Sequence, residues 1–175
     1  MASSPSSEAL FRSESLSREA PVTSATVQVG TVLPQLSRRW SLKEFSDRHV
    51  LVYGDGNIVQ GQWPEQNIHS DEAAAQREGL AGAVASAPQI IALIMRMMAQ
   101  AFGSAWLYGA RIDVKMIKPL FVNELVTTKG EVTSVSAELS EDGLQGVRVT
   151  CTVRAERLDG VPVMVGTASA LLNDA

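Results

Sequence analysis

Two histidines and one cysteine carry most of the capacity for base, nucleophile or soft-metal chemistry in this chain of 175 residues. His69 has the more suggestive setting, Asn67-Ile68-His69-Ser70-Asp71-Glu72, with Pro64 and Glu65 upstream and alanines behind. An imidazole changes charge near neutral pH and is the commonest general acid or base. His49 falls at helical spacing with Leu42 and Phe45, so it reads as a core or interface residue. Cys151 shares one side of an alternating run with valines and reads as packing, not as a nucleophile. One cysteine excludes a disulfide framework and an all-cysteine metal site. Two histidines exclude a three-histidine zinc site within one chain.

Composition narrows the function classes further. Lys and Arg number 15 against 19 Asp and Glu, for a net charge of −4. Phosphate binding needs clustered cations, so a nucleic-acid groove is not expected. The hydrophobic fraction of 45% and charged fraction of 19% exclude a wholly disordered chain. The longest apolar stretch, Ile90 to Ala101, is broken by Arg96 and Gln100 and falls short of the ~20 residues a membrane span needs. No membrane segment and a cytoplasmic location are the default expectations. Residues 1–24 are small, polar and Ser-rich, and are expected to be a disordered tail. Residues 25–175 are expected to form a single domain.

The elements that must position His69 can be read from periodicity. Val27, Val29 and Val32 suggest a short strand stopped by Pro34. Ser41 and Glu44 make a capping box at a helix start. Residues 54–64 hold three glycines and Pro64 and read as a loop. Ser70 is expected to cap a short helix ended by Gly79, with Asp71 and Glu72 at its dipole-positive end. A third helix runs from about 88 to 102, apolar nearly all round, with Gln89, Arg96 and Gln100 on one stripe. Met95, Met97 and Met98 suit either an adaptable pocket or core filling. Trp63 and Trp106 suit either a pocket mouth or a cover for the core. The last third then alternates with period two through Ile112 to Met116, Val147 to Val153 and Val161 to Val165. Asp142-Gly143 and Asp159-Gly160 mark hairpin turns, so an antiparallel meander is expected. One buried helix followed by such a sheet gives an α+β architecture, the hot dog fold, with the antiparallel sheet wrapped around a long central helix. An open strand edge in this arrangement favours a homodimer.

The stretch Asn67-Ile68-His69-Ser70-Asp71-Glu72-Ala73-Ala74-Ala75, with Glu78-Gly79-Leu80, resembles the signature of MaoC-like acyl dehydratases and (R)-specific enoyl-CoA hydratases. Ile117-Lys118-Pro119-Leu120-Phe121-Val122-Asn123-Glu124-Leu125, continued by Lys129-Gly-Glu-Val-Thr-Ser-Val, is similar to the segment that leads into a long strand in that family. The resemblance covers about residues 27 to 172. It implies a hydro-lyase acting on an enoyl or 3-hydroxyacyl thioester of coenzyme A or an acyl carrier protein. It implies no metal and no redox cofactor. His69 matches the family's catalytic histidine. Glu65 falls at the aspartate's place if one residue is deleted, and Asp55 is the rival if residues 56–66 are an insertion. Asn67 matches the asparagine, either orienting His69 or capping the turn. The alternative for His69 is a histidine that ties its loop to the next helix.

In the family a His-Gly pair at the start of the central helix supplies the oxyanion donor. Ser86-Ala87 stands in its place here, followed by Pro88. The Ala87 N–H remains available, and Ser86 either touches substrate or caps the helix. Asp71 reads as helix-dipole chemistry. Three kinds of reading stay open: the hydratase or dehydratase; another reaction on the same scaffold, such as an isomerisation, cyclisation, elimination or thioester hydrolysis; and a non-catalytic ligand-binding protein.

Overall fold

Alternating apolar residues in the C-terminal half build an antiparallel sheet, and one apolar helix fills its concave face. The computed structural model describes residues 23–44, 67–140 and 143–173. Nearly all of the expected tail, His49, Phe45 and Trp63 lie outside the described residues.

In chain order the elements are β1 (Leu36–Arg39), α1 (Glu72–Arg77), α2 (Ala87–Phe102), α3 (Ser104–Gly109), β2 (Arg111–Met116), β3 (Leu125–Leu139), β4 (Gln145–Arg157) and β5 (Pro162–Asn173). The five strands form one sheet in the order β1-β3-β4-β5-β2, and every paired neighbour is antiparallel. β3, β4 and β5 form the expected meander. Gly143 and Gly160 take positive φ, 77° and 79°, at the two turns between them. β2 departs from the meander by lying beside β5, at the far edge from β1.

The central helix matches its expected span. Ile90, Leu93, Ile94, Met97, Met98, Ala101 and Phe102 recur at helical spacing and are buried. They pack against Val126, Val132, Val149, Cys151 and Val153 on the inner face of the sheet. Met97 and Met98 are thus core residues, and Trp106 covers the same core. Cys151 is buried, and desolvation pushes its thiol up to about 12. None of the described helices is long and apolar enough to cross a membrane.

Three expectations needed correction. The strand anticipated at Val27–Val32 is displaced toward the C-terminus. Val32 makes only an isolated bridge to Glu131, and Val29 and Val32 are exposed. Gly30, Thr31 and Leu33 do exchange backbone hydrogen bonds with Gly130 and Val132 ahead of Pro34, but burial falls on Leu33 and Leu36 and the regular strand continues past the proline. The α1 cap is Asp71, not Ser70: Asp71 Oδ1 accepts the Ala74 N–H at 2.6 Å. Helix α3 was not anticipated, because its six residues are too short for periodicity to register. The capping box at Ser41 and Glu44 does form: Glu44 Oε2 accepts the Ser41 N–H at 2.9 Å, and Ser41 Oγ accepts the Glu44 N–H at 3.3 Å.

Candidate active site

Local hydrogen bonding shapes the loop that carries His69. Asn67 Oδ1 accepts the His69 N–H at 2.8 Å. The Asn67 carbonyl accepts the N–H groups of Ser70 and Asp71 at 3.1 and 3.0 Å. Ser70 Oγ accepts the Asn67 N–H at 3.2 Å, so its hydroxyl closes the turn that precedes the helix. Asn67 therefore holds the His69 backbone and caps the turn at once. Asp71, engaged by Ala74, starts α1. Gly79, at φ 81°, lets the chain leave it by a left-handed turn in which the Leu80 N–H reaches the Ala75 carbonyl.

The imidazole itself is tied across the fold. His69 Nδ1 lies 2.8 Å from the Val84 carbonyl. A carbonyl only accepts, so Nδ1 carries the proton and Nε2 keeps its lone pair in the neutral ring. Among the described residues no hydrogen bond occupies Nε2. The neighbouring Ile68 carbonyl accepts the Val84 N–H at 3.0 Å, so backbone and side chain of the loop clasp the same residue. The tie runs to this extended segment and not to α1, the partner that the non-catalytic reading of His69 invoked.

Val84 belongs to a buried strand-like segment that leads straight into α2. Ala83, Val84 and Ala85 are all buried. The Ala83 carbonyl accepts from Val122, the Ala85 N–H donates to Leu120, and Val84 bridges Phe121. The segment that resembled the family's strand entry thus braces the site from the far side. Ser86 is the α2 N-cap, with extended φ and ψ of −75° and 149°. Its N–H goes to Gln89 Oε1 at 2.9 Å, and its carbonyl accepts the Gln89 N–H at 3.1 Å. Pro88 has no N–H. The first turn of α2 therefore offers the Ala87 N–H, at the positive end of the helix dipole.

Of the residues singled out in the sequence, the fold sets His69 and Asn67 against the segment that leads into Ser86 and Ala87. Glu65 and Asp55 lie outside the described residues. Sequence reasoning assigned Glu72 only to the helix dipole. Its Oε2 accepts the Ala83 N–H at 3.1 Å, a link of sequence separation 11 that no local pattern announces.

An open groove of about 420 Å³ lies elsewhere, lined by Arg39, Glu124, Arg157 and Asp159 among others. Its charges largely answer one another: Arg157 pairs with Asp159 at 2.8 Å and with Glu124 at 3.4 Å.

No family model matches the sequence, and no curated protein matches it. Solved structures do match. The (R)-hydratase of A. caviae involved in PHA biosynthesis aligns at 22% identity over 84% of this chain and 98% of its own, with a TM-score of 0.62. A MaoC-like dehydratase from Rhodospirillum rubrum aligns at 17% identity over 88% and 98%, with a TM-score of 0.66. A monoamine oxidase regulatory protein from Archaeoglobus aligns at 16% identity over 89% and 96%, with a TM-score of 0.68. The fold is the hot dog fold of the MaoC-like dehydratases and (R)-hydratases. At these identities the likeness concerns the fold, and the chemistry rests on the residues above.

Proposed function

We propose that this chain is an acyl-thioester hydratase or dehydratase, with His69 as its general base. One observation carries the reading: the His69 ring is fixed through Nδ1 to Val84, just ahead of the α2 N-terminus, with the Nε2 lone pair left free. In the hydration direction Nε2 takes a proton from water as the water oxygen bonds to C3 of the enoyl thioester. The electron pair of the C2–C3 double bond moves onto the thioester oxygen, giving an enolate. The Ala87 N–H and the helix dipole stabilise that oxygen. Collapse of the enolate with protonation at C2 completes the addition. Glu65 is the candidate acid that exchanges the second proton, with Asp55 as its rival. Asn67 fixes the backbone from which the imidazole projects.

The substrate would be carried on coenzyme A or an acyl carrier protein, and the chemistry calls for neither a metal nor a redox cofactor. A homodimer that covers the edge of β2 fits this reading, since among the described residues β2 pairs with β5 alone. The (R)-hydratase and MaoC-like dehydratase neighbours support the assignment at the level of fold. The decisive test is turnover of crotonyl-CoA followed by loss of the enoyl absorbance, in the full chain and in His69→Ala. General-base catalysis contributes about 10²- to 10⁴-fold, so His69→Ala should lose at least that much. A His69→Ala protein within about tenfold of the parent would refute the role of His69.

A second reading draws on the α2 start. With the Ser86 N–H taken by Gln89 and Pro88 lacking one, the Ala87 N–H stands alone as oxyanion donor in that first turn. Ser86-Ala87-Pro88 thus departs from the His-Gly pair of the resembling family, and the altered helix start suits another reaction on the same scaffold. A folded protein inactive on enoyl and hydroxyacyl thioesters, but active in isomerisation, elimination or thioester hydrolysis, would favour it.

A further inference from the structure

The segment that receives the His69 ring is itself held from behind. Glu72 Oε2 accepts the Ala83 N–H at 3.1 Å, and Ala83 is fully buried. Water therefore has no easy way to replace that acceptor. Gly82 makes the approach possible, because a Cβ at this position would lie 2.7 Å from Glu72 Oε2. The His69 loop and the 83–85 segment are thus stitched by three hydrogen bonds: Glu72 to Ala83, Ile68 to Val84, and the His69 ring to the Val84 carbonyl.

We propose that Glu72 is a positioning residue for His69. Its carboxylate fixes the 82–84 backbone so that the Val84 carbonyl meets Nδ1, which sets the ring's tautomer and the direction of Nε2. Without that brace the buried Ala83 N–H is orphaned and the 82–84 backbone relaxes around it; the Val84 peptide, still held by the Ala85 to Leu120 bond, is carried out of line with Nδ1. The tautomer with hydrogen on Nε2 then competes, and in that form Nε2 has no lone pair to act as a base. The role needs an acceptor oxygen at residue 72 and not a charge. The inference rests on the proposed base role of His69 only for its effect on rate; its effect on the ring stands alone.

The substitutions follow from the geometry. Glu72→Gln keeps an acceptor oxygen, and Glu72→Ala removes it. Gly82→Ala leaves Glu72 in place but drives a methyl against Oε2. The test is ¹⁵N NMR of the imidazole nitrogens in the full-length chain at about pH 8, where an ordinary imidazole is neutral. His69→Gln identifies which of the two histidine signals belongs to the site. The parent and Glu72→Gln should show hydrogen on Nδ1. Glu72→Ala and Gly82→Ala should show mixed tautomers. On crotonyl-CoA these two variants should lose about 10- to 100-fold in kcat with KM within about threefold, as for a misaligned base. Glu72→Gln should restore the parent value, and the double variant should be no worse than Glu72→Ala.

Should Glu72→Ala fail to fold, Gly82→Ala still reads the tautomer without deleting a side chain. The proposal is overturned if Gly82→Ala and a folded Glu72→Ala keep the parent pattern, or if Glu72→Gln disturbs the ring as much as Glu72→Ala. A wild-type protein inactive on thioesters whose imidazole pattern moves as described would sink the hydratase reading and leave the positioning role standing.

Discussion

Met97 and Gly130 face each other across the layer between helix and sheet, so substitutions at the two positions are coupled. Met97 is fully buried, and Gly130 lies on the inner face of β3. A Cβ on Gly130 would sit 2.7 Å from Leu33 Cδ1 and 3.1 Å from Met97 Cε. Met97→Ala removes three heavy atoms, worth about 2.4 kcal/mol of transfer free energy at ~0.8 kcal/mol each. Incomplete collapse of the cavity brings the loss to about 3–4 kcal/mol, because no side chain at Gly130 stands ready to fill it. For a chain of this size that is a drop in Tm of roughly 6–16 °C. Gly130→Ala alone should cost about 1–2 kcal/mol, since Leu33 and Met97 must both retreat. In the double variant the new methyl enters space that Met97 has vacated, and Leu33 can shift into it. The combined loss should therefore fall short of the sum by at least about 1 kcal/mol. Urea unfolding of the four proteins, fitted with a common m value, measures this cycle. Additivity within about 0.5 kcal/mol would show that the helix does not lie against β3 as described.

Other perturbations test the edges and charges. Gly166→Ala drives a Cβ into the Asp113 carbonyl oxygen and to 2.7 Å from Val114 Cα, both backbone atoms of β2. It should cost about 3 kcal/mol and strip hydrogen-exchange protection from β2 amides, whereas unchanged protection would refute the β2–β5 pairing. The Arg148 guanidinium, helped by Arg111, holds the Glu138 carboxyl down to about 2 from its ordinary 4.5. A carboxyl depressed in the folded state stabilises above its unfolded value and loses that contribution as pH falls from about 4.5 toward about 2. The stability gap between parent and Glu138→Gln should therefore close across that window, and a gap independent of pH would contradict the pairing. Cys151, with its thiol pushed up to about 12, should resist thiol reagents at pH 8 until the protein unfolds. Labelling in the native state at the rate of a free thiol would show that it is not buried.

Much of the frame was legible because it is periodic. The alternation from Val147 to Val153, the run Ile90, Ile94, Met97, Ala101 and the Asp-Gly turns each encode an element in neighbouring residues. Those signals suffice because strand and helix geometry repeat every two and every 3.6 residues. Arg148 marks where this logic stops. Alternation sends it to the outer face, away from Val149, and there it is nevertheless 7% exposed. It is covered because it donates to the Gly109 carbonyl of α3 and pairs with Glu138 at 2.7 Å. A six-residue helix and a strand ten positions away supply those partners, and neither leaves a periodic trace.

The sequence by itself determined the three-strand meander, the central helix, the capping box at Ser41 and the choice of His69 as the residue to watch. The elements follow from short-range sterics, hydrogen bonding and apolar spacing, and the choice of His69 from the resemblance of its motif. Only the tertiary structure decided which ring nitrogen of His69 bears the proton and what holds the segment that receives the ring. Those outcomes hang on single hydrogen bonds between residues 11 and 15 positions apart, Glu72 with Ala83 and His69 with Val84. Such bonds exist only once the buried helix and the sheet have brought the two segments face to face.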